Sequence, residues 1–241
     1  MTTQEDLQVE PKVPKPWFVR GTGFSEQLSQ GDMSIFMRIC PDKRYHKGDV
    51  IFLAGDPATA LHIITDGLVK LSAPTASGNE RIFAICGPDD FIGEAFLPDE
   101  ATYRVDAIAI TKTVTCPVSR DQFLRLSNKA PAAVLSFSQI LANHLFHCRQ
   151  QLSDAFDSVK LRAAKVFLDL ASRFGKPIGT EGWYELQVEL KQDEIASMIS
   201  ATRVAVTMAL SELREDGLVQ GTRGKYVLNL PALASYIEDD S

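Results

Sequence analysis

Between Gln192 and Ser211 the chain reads Q-D-E-I-A-S-M-I-S-A-T-R-V-A-V-T-M-A-L-S, and no other window restricts the possible folds as tightly. Ile195, Ile199, Ala201, Val206 and Ala209 fall where two short helices crossing at a steep angle must bury side chains against each other. Ala196 stands at the expected closest approach, where a larger side chain would hold the helices apart. The turn is expected to begin at Ser200, in a backbone conformation of positive φ that glycine adopts freely and serine adopts at some cost. Thr202 is placed to cap the second helix through its hydroxyl, so that the polar residues after it face outward. This is the spacing of a helix-turn-helix, whose second helix enters the DNA major groove; the alternative is an ordinary helical hairpin in a globular core.

The segment that follows, Leu218 to Leu230, reads L-V-Q-G-T-R-G-K-Y-V-L-N-L. Two β-rich runs flanking Gly221 to Gly224 predict a hairpin of the winged type. Arg223 and Lys225 at its tip would ordinarily be a solvated pair; directly behind a helix-turn-helix they become candidate phosphate contacts, which position a protein without reading sequence. The formal net charge of −6 opposes a nucleic-acid partner at first sight, because phosphate neutralisation drives most non-specific affinity. Only one small face has to meet the duplex, however. Glu212, Glu215 and Asp216 lie late in the second helix, where they can point away, while Arg203, Arg223 and Lys225 point toward it. Modest, salt-sensitive non-specific binding is the expectation.

A chain of 241 residues with 45% hydrophobic content has room for two domains with real cores. Residues 1–24 are polar and broken by Pro11, Pro14 and Pro16, which predicts a mobile arm or a docked strap, and 25–40 suggest a short amphipathic helix. From Arg44 to about Phe123 come short β-rich runs, V-I-F-L, L-H-I-I, L-V-K-L, R-I-F-A-I and V-D-A-I-A-I, punctuated by glycines. That texture implies an antiparallel roll or sandwich. After Pro131 the pattern turns helical. Val134, Leu141, Leu145, Cys148, Leu152, Ala155 and Val159 follow spacings of three and four, interrupted by Ser138, and predict one helix with a seam for a partner helix. The seam could instead pack on its own β domain; a parallel pair across a two-fold axis is favoured, since helix-turn-helix proteins commonly read two half-sites as symmetric dimers. Cys40, Cys86, Cys116 and Cys148 are spread too widely for a C-x-x-C pair, so reduced and mostly buried thiols are expected. Neither a membrane-spanning apolar run nor a basic-then-apolar leader is present, which gives a cytoplasmic protein as the expectation and no membrane partner.

The order of these parts resembles the CRP/FNR superfamily of bacterial transcription regulators over residues 30–230. The matching stretches are K-G-D-V-I-F-L-A-G-D at 47–56, D-G-L-V-K-L at 66–71, D-F-I-G-E at 90–94 and the helix-turn-helix window. T-R-V-A-V-T at 202–207 with L-R-E at 213–215 is particularly similar to nitrogen-control regulators of the cyanobacterial type. The resemblance implies an α+β chain: an arm over 1–24, an antiparallel β-roll sensor domain like those that bind cyclic nucleotides over 25–130, a dimerisation helix and hinge over 131–160, and a winged helix-turn-helix over 161–241. It further implies a homodimer on double-stranded DNA with a two-fold symmetric site, acting by contact with RNA polymerase or by blocking it.

Carried over residue by residue, the resemblance makes Arg203 the first base reader, through a bidentate contact to guanine. The next family contact, usually Glu, is Val204 here, and a later Arg is Met208, so half-site preference should differ from that of the catabolite activator. Thr202, Thr207 and Lys191 are candidate phosphate contacts. In the roll, Gly93 and Glu94 match the pair that holds the ribose of cyclic AMP in relatives. The Arg-Ser pair for the cyclic phosphate falls on Tyr103 and Arg104, one place out of step, and the Thr-Ser pair that reads adenine falls on His147 and Cys148. Cyclic AMP is thus a candidate effector by resemblance, while these departures favour an effector-independent or differently liganded pocket. An iron-sulfur cluster is not expected, since Cys40 is alone near the N-terminus. His144, His147 and Cys148 have a spacing that could bind a metal, but packed side chains are the preferred reading, and no haem or metal is expected. No nucleophile-base pair or Gly-rich phosphate loop suggests an enzyme. The rival is a ligand or redox sensor acting mainly through protein-protein contacts with weak DNA binding, which the changes at 204 and 208 would suit.

Overall fold

The structure, a computed structural model, describes residues 41–240 apart from 77, 99, 100, 130, 180, 181 and 223, and apart from the side chains at 132, 133, 136, 140, 143 and 147. The expected arm and first helix, together with Cys40 and Arg223, lie outside the described residues, as does the side chain of His147.

Two antiparallel sheets build the roll. One has the order β1-β8-β3-β6, from Lys43–Tyr45, Thr113–Ser119, Ala60–Asp66 and Phe91–Ile92. The other has the order β2-β7-β4-β5, from Val50–Phe52, Asp106–Ala109, Val69–Pro74 and Glu80–Cys86. Each run singled out in the sequence forms one of these strands. In β7 the period of two is plain, with Ala107 and Ala109 fully buried and Ile108 half-buried between them. Strand β8, T-V-T-C-P-V-S, escaped a hydrophobicity reading because Thr113 and Thr115 are polar by type, yet both are completely buried and β-branched. Gly67 turns β3 into β4 at φ +82°, and a Cβ there would lie 2.2 Å from the Lys112 carbonyl oxygen, so no other residue fits.

Helix α1 (Arg120–Lys129) leads into α2 (Pro131–Asp154), which lies against the first sheet. Phe137 is buried among Phe91, Phe96 and Phe123, with ring centroids 5.1, 6.2 and 5.0 Å away. Val134 and Leu141 join that cluster, and the His144 ring lies 5.2 Å from that of Phe91. The expected seam is one face of the helix, but it does not have one partner along its length. Val134 and Leu141 pack on their own roll, while Leu145 and Leu152 are 54% and 72% exposed. At 100° per residue these four side chains fall within about 40° of one another around the helix axis. Ala155 and Val159 are not on this helix at all, because α2 ends at Asp154, Ala155 falls in the turn, and Val159 opens α3 (Val159–Phe174). Ser158 stops the seam: its hydroxyl accepts the Leu161 N–H at 3.1 Å as the N-cap of α3.

The remaining elements are β9 (Gly175–Pro177), β10 (Trp183–Leu186), α4 (Gln192–Ile199), α5 (Arg203–Glu215), β11 (Val219–Gln220), β12 (Val227–Asn229) and α6 (Leu230–Asp239). The third sheet has the order β11-β12-β10-β9, so the wing hairpin is extended by two short strands that the sequence reading passed over. One continuous apolar cluster runs from Ile64, Val69, Ile82 and Ile85 of the roll into Leu161, Phe167, Ile195 and Leu210 of the helices. Among the described cysteines, Cys86 is buried and free, its thiol pushed up by burial, and Cys148 is free but exposed. Cys116 is disulfide-bonded, contrary to the expectation of reduced thiols throughout. No helix among the described residues is long and apolar enough to cross a membrane.

Candidate nucleic-acid interface

The two helices of the 192–211 window form as α4 and α5, and Ser200 between them adopts φ 53° and ψ 48°, the left-handed conformation expected there. The turn closes with the Ala201 N–H donating to the Ala196 carbonyl at 2.9 Å. Thr202 caps α5, its Oγ1 accepting the Ala205 N–H at 3.2 Å. Ile195, Ala196, Ile199, Val206 and Ala209 are all buried at the crossing. From α3, Arg162 Nη1 donates to the Ile199 carbonyl at 2.5 Å, placing a cation on the C-terminal end of α4.

With one face of α5 occupied in this way, Arg203, Val204, Thr207 and Met208 form the opposite face, all exposed. Val204 is 70% and Met208 62% exposed, although the same helix buries Val206, Leu210 and Leu213. The Arg203 Nε lies 3.7 Å from Asp193 Oδ1 across the turn, and the Thr207 hydroxyl lies 2.9 Å from both Gln192 Oε1 and the Arg203 carbonyl oxygen. Lys191 stands exposed at the start of α4, its N–H donating to Glu194 Oε2 at 2.8 Å. Lys225 is exposed on the wing beside Gly224. The late acids turn away as expected, and two of them meet a cation that the sequence reading did not identify. Lys160 Nζ sits 2.6 Å from Asp216 and 4.0 Å from Glu212, and the hydrogen bond it donates to Asp216 holds this ammonium above the usual lysine range.

In the roll, Gly93 has φ +83°, and a Cβ would lie 2.9 Å from the Tyr103 ring and 3.1 Å from the Ala60 carbonyl oxygen. Glu94 is exposed at the head of a short 3-10 turn. Tyr103 is buried: its ring stacks on Phe52 at 3.8 Å and 13°, and its hydroxyl donates to the Ala60 carbonyl at 2.7 Å. Arg104, in the bend that precedes β7, is exposed to solvent. Cys148 is exposed on α2. His62 is buried with Nδ1 3.2 Å from Thr115 Oγ1; burial, helped by Lys43, lowers the imidazole to about 4 and keeps it neutral.

Two ionic clusters tie the parts together, and neither was visible in the sequence. At the turn between α2 and α3, Lys165 Nζ reaches Asp154 at 2.7 Å and Asp157 at 2.6 Å. Between roll and helices, the Arg173 guanidinium donates to the buried Asp90 carboxylate and lies 3.7 Å from Asp169. Burial pushes the Asp90 carboxyl up despite the adjoining guanidinium. The partners are 83 residues apart, so only the folded chain brings them together.

Residues 42–130 match the model of the cyclic nucleotide-binding domain, and residues 161–236 match that of the Crp-like helix-turn-helix domain. The "CRP-like cAMP-activated global transcriptional regulator" of Mycobacterium tuberculosis is 31% identical over 185 residues, covering 76% of this chain and 81% of that protein. The "Cyclic AMP receptor protein" of Thermus thermophilus is 25% identical over 203 residues, covering 84% of this chain and 90% of its own length. Among solved structures, the c-di-GMP responsive global regulator CLP of Xanthomonas campestris superposes with a TM-score of 0.70 at 21% identity, covering 83% of this chain and 99% of that one.

Proposed function

The chain belongs to the CRP/FNR family of transcription regulators and carries its DNA-binding unit, and from that premise we propose that it acts as a homodimer reading a two-fold symmetric site through α5. The outward face of α5 carries this reading. A helix that is otherwise well packed leaves Arg203, Val204, Thr207 and Met208 free together, two of them large and apolar. Arg203 is the proposed reader of guanine O6 and N7, with Val204 and Met208 making apolar contact to base edges such as the thymine methyl. Thr202, Thr207, Lys191 and the wing cations Arg223 and Lys225 are the proposed phosphate contacts. The exposed half of the α2 seam, Leu145, Cys148 and Leu152, is the proposed dimer contact; it would set two α5 helices about one helical turn of DNA, roughly 34 Å, apart. The output is contact with RNA polymerase or exclusion of it.

Cyclic AMP does not fit the roll in the manner of the family's grip. Tyr103 fills the place of the phosphate-binding Arg, Arg104 and Cys148 are exposed, and no described Lys or Arg is buried within the roll. The effector pocket is therefore proposed to be differently liganded or to need no ligand. Selection of binding sites from random DNA by the purified protein, with and without cyclic AMP, tests both points. The expected outcome is one palindrome enriched in both conditions and lost in Arg203→Ala. Enrichment of no palindrome would sink the DNA-reading proposal, and enrichment only with cyclic AMP would sink the pocket proposal.

A further inference from the structure

Strand β5 is an edge of its sheet, and an edge strand presents unpaired backbone groups that a protein must cover. Here the DNA-binding unit covers it, at both ends. At the first end, the Ser197 hydroxyl of α4 donates to the Glu80 carbonyl at 2.7 Å and accepts the Ile82 N–H at 2.8 Å, imitating one rung of a neighbouring strand. At the far end, the turn after Cys86 meets the end of α3. Gly87 lies so close to Phe174 that a Cβ would come within 2.5 Å of the ring, and the Gly87 N–H donates to Asp90 Oδ2 at 2.7 Å. Asp90 is 1% exposed and is held by Arg173, whose guanidinium also lies 4.6 Å from the centroid of the Phe174 ring.

We propose that Ser197 and Arg173 are positioning residues that grip the two ends of β5 and so fix the direction in which α5 is presented, the Asp90–Arg173 pair being the releasable half of the grip. This rests on the DNA-reading proposal above and adds to it a route from roll to reading helix that bypasses the hinge. The pair suits release because it is only half satisfied. Asp90 Oδ1 and Arg173 Nε carry no hydrogen bond while buried, so desolvation offsets much of the Coulomb attraction and leaves the gripped and released arrangements close in free energy. Asp90 is also the residue immediately before β6, three positions ahead of Gly93. A change of shape at the Gly93–Glu94 turn is therefore delivered to Arg173 through a few covalent bonds.

The test combines hydrogen–deuterium exchange of the full-length protein with affinity for the selected palindrome. Because the Ile82 N–H is held by Ser197 and not by β4, exchange over residues 80–86 reads the grip without DNA. Arg173→Gln is expected to lower affinity about tenfold and to raise exchange over 80–86, with β3 and β8 as protected as before. The exchanged pair, Asp90→Arg with Arg173→Asp, is expected to recover both readouts. Ser197→Ala, which removes one hydroxyl at little risk to folding, is expected to weaken affinity about threefold and to expose Ile82. Unchanged exchange over 80–86 in both Arg173→Gln and Ser197→Ala would overturn the proposal. So would loss of protection in β3 and β8 equal to that in β5, which would mark the pair as merely structural. If the wild-type protein enriches no palindrome, the DNA-reading proposal fails, and the exchange measurement still decides whether the grip exists.

Discussion

Arg203 stands at the first position of α5 with 68% of its side chain in solvent and only a 3.7 Å approach to Asp193, so its removal disturbs nothing in the core. Arg203→Ala should cost roughly 1 to 3 kcal/mol of discrimination at one guanine and leave the melting temperature alone, which titration of the selected site and its single-base variants will show. His62 makes the opposite kind of prediction, about stability and not recognition. Its folded pKa of about 4 lies below the unfolded value of 6.5, so the unfolded chain binds more protons between them, and stability must fall as pH drops through that window. Denaturation at about pH 5 and about pH 7 should differ by about 2 kcal/mol less in His62→Gln than in the wild type. At this scale the sequence was legible where chemistry is local. The left-handed turn at Ser200 and the cap at Thr202 follow from neighbours along the chain. The burial of Thr115 and the pairing of Asp90 with Arg173 depend on a sheet and an interface that no local pattern records.

Helix α2 shows how periodicity can identify an element and its apolar face and still leave the partner of that face open. Apolar residues at spacings of three and four were correctly read as a helix, but the first half of their face packs on the roll and the second half is exposed, and the boundary at Asp154 came from the Ser158 cap, not from any loss of hydrophobicity. The two halves can be separated experimentally. Leu145→Glu and Leu152→Glu, on the exposed half, should give monomers in analytical ultracentrifugation and abolish binding to the palindrome while the roll stays folded. Phe137→Ala, in the half packed on the roll, should destabilise the roll by about 3 to 5 kcal/mol, read by urea titration, because a ring packed against three others leaves a cavity. A dimer persisting in Leu145→Glu and Leu152→Glu alike would remove the exposed half from the interface. In the turn between α4 and α5, Ser200→Gly should stabilise the protein by about 0.5 to 1 kcal/mol, since glycine adopts φ 53° without the strain that serine bears.

At the scale of the whole molecule, the sequence divided the chain into a roll, a helix and a DNA-binding unit, and two family models match residues 42–130 and 161–236. What the division hid is that the blocks share one apolar cluster, from Ile64 and Ile85 to Phe167 and Leu210. Calorimetry of the intact protein should accordingly show a single cooperative transition; two resolved transitions would mean that the shared cluster does not couple the units. The covering of β5 by α4 and α3 also bears on how such chains diversify. A reading head that lacked the hydroxyl of Ser197 and the guanidinium of Arg173 would lose both contacts with this strand, whereas changes on the outward face of α5 leave them in place. On the proposed reading, new DNA targets would be reached by point changes at positions such as 204 and 208, without exchange of whole domains.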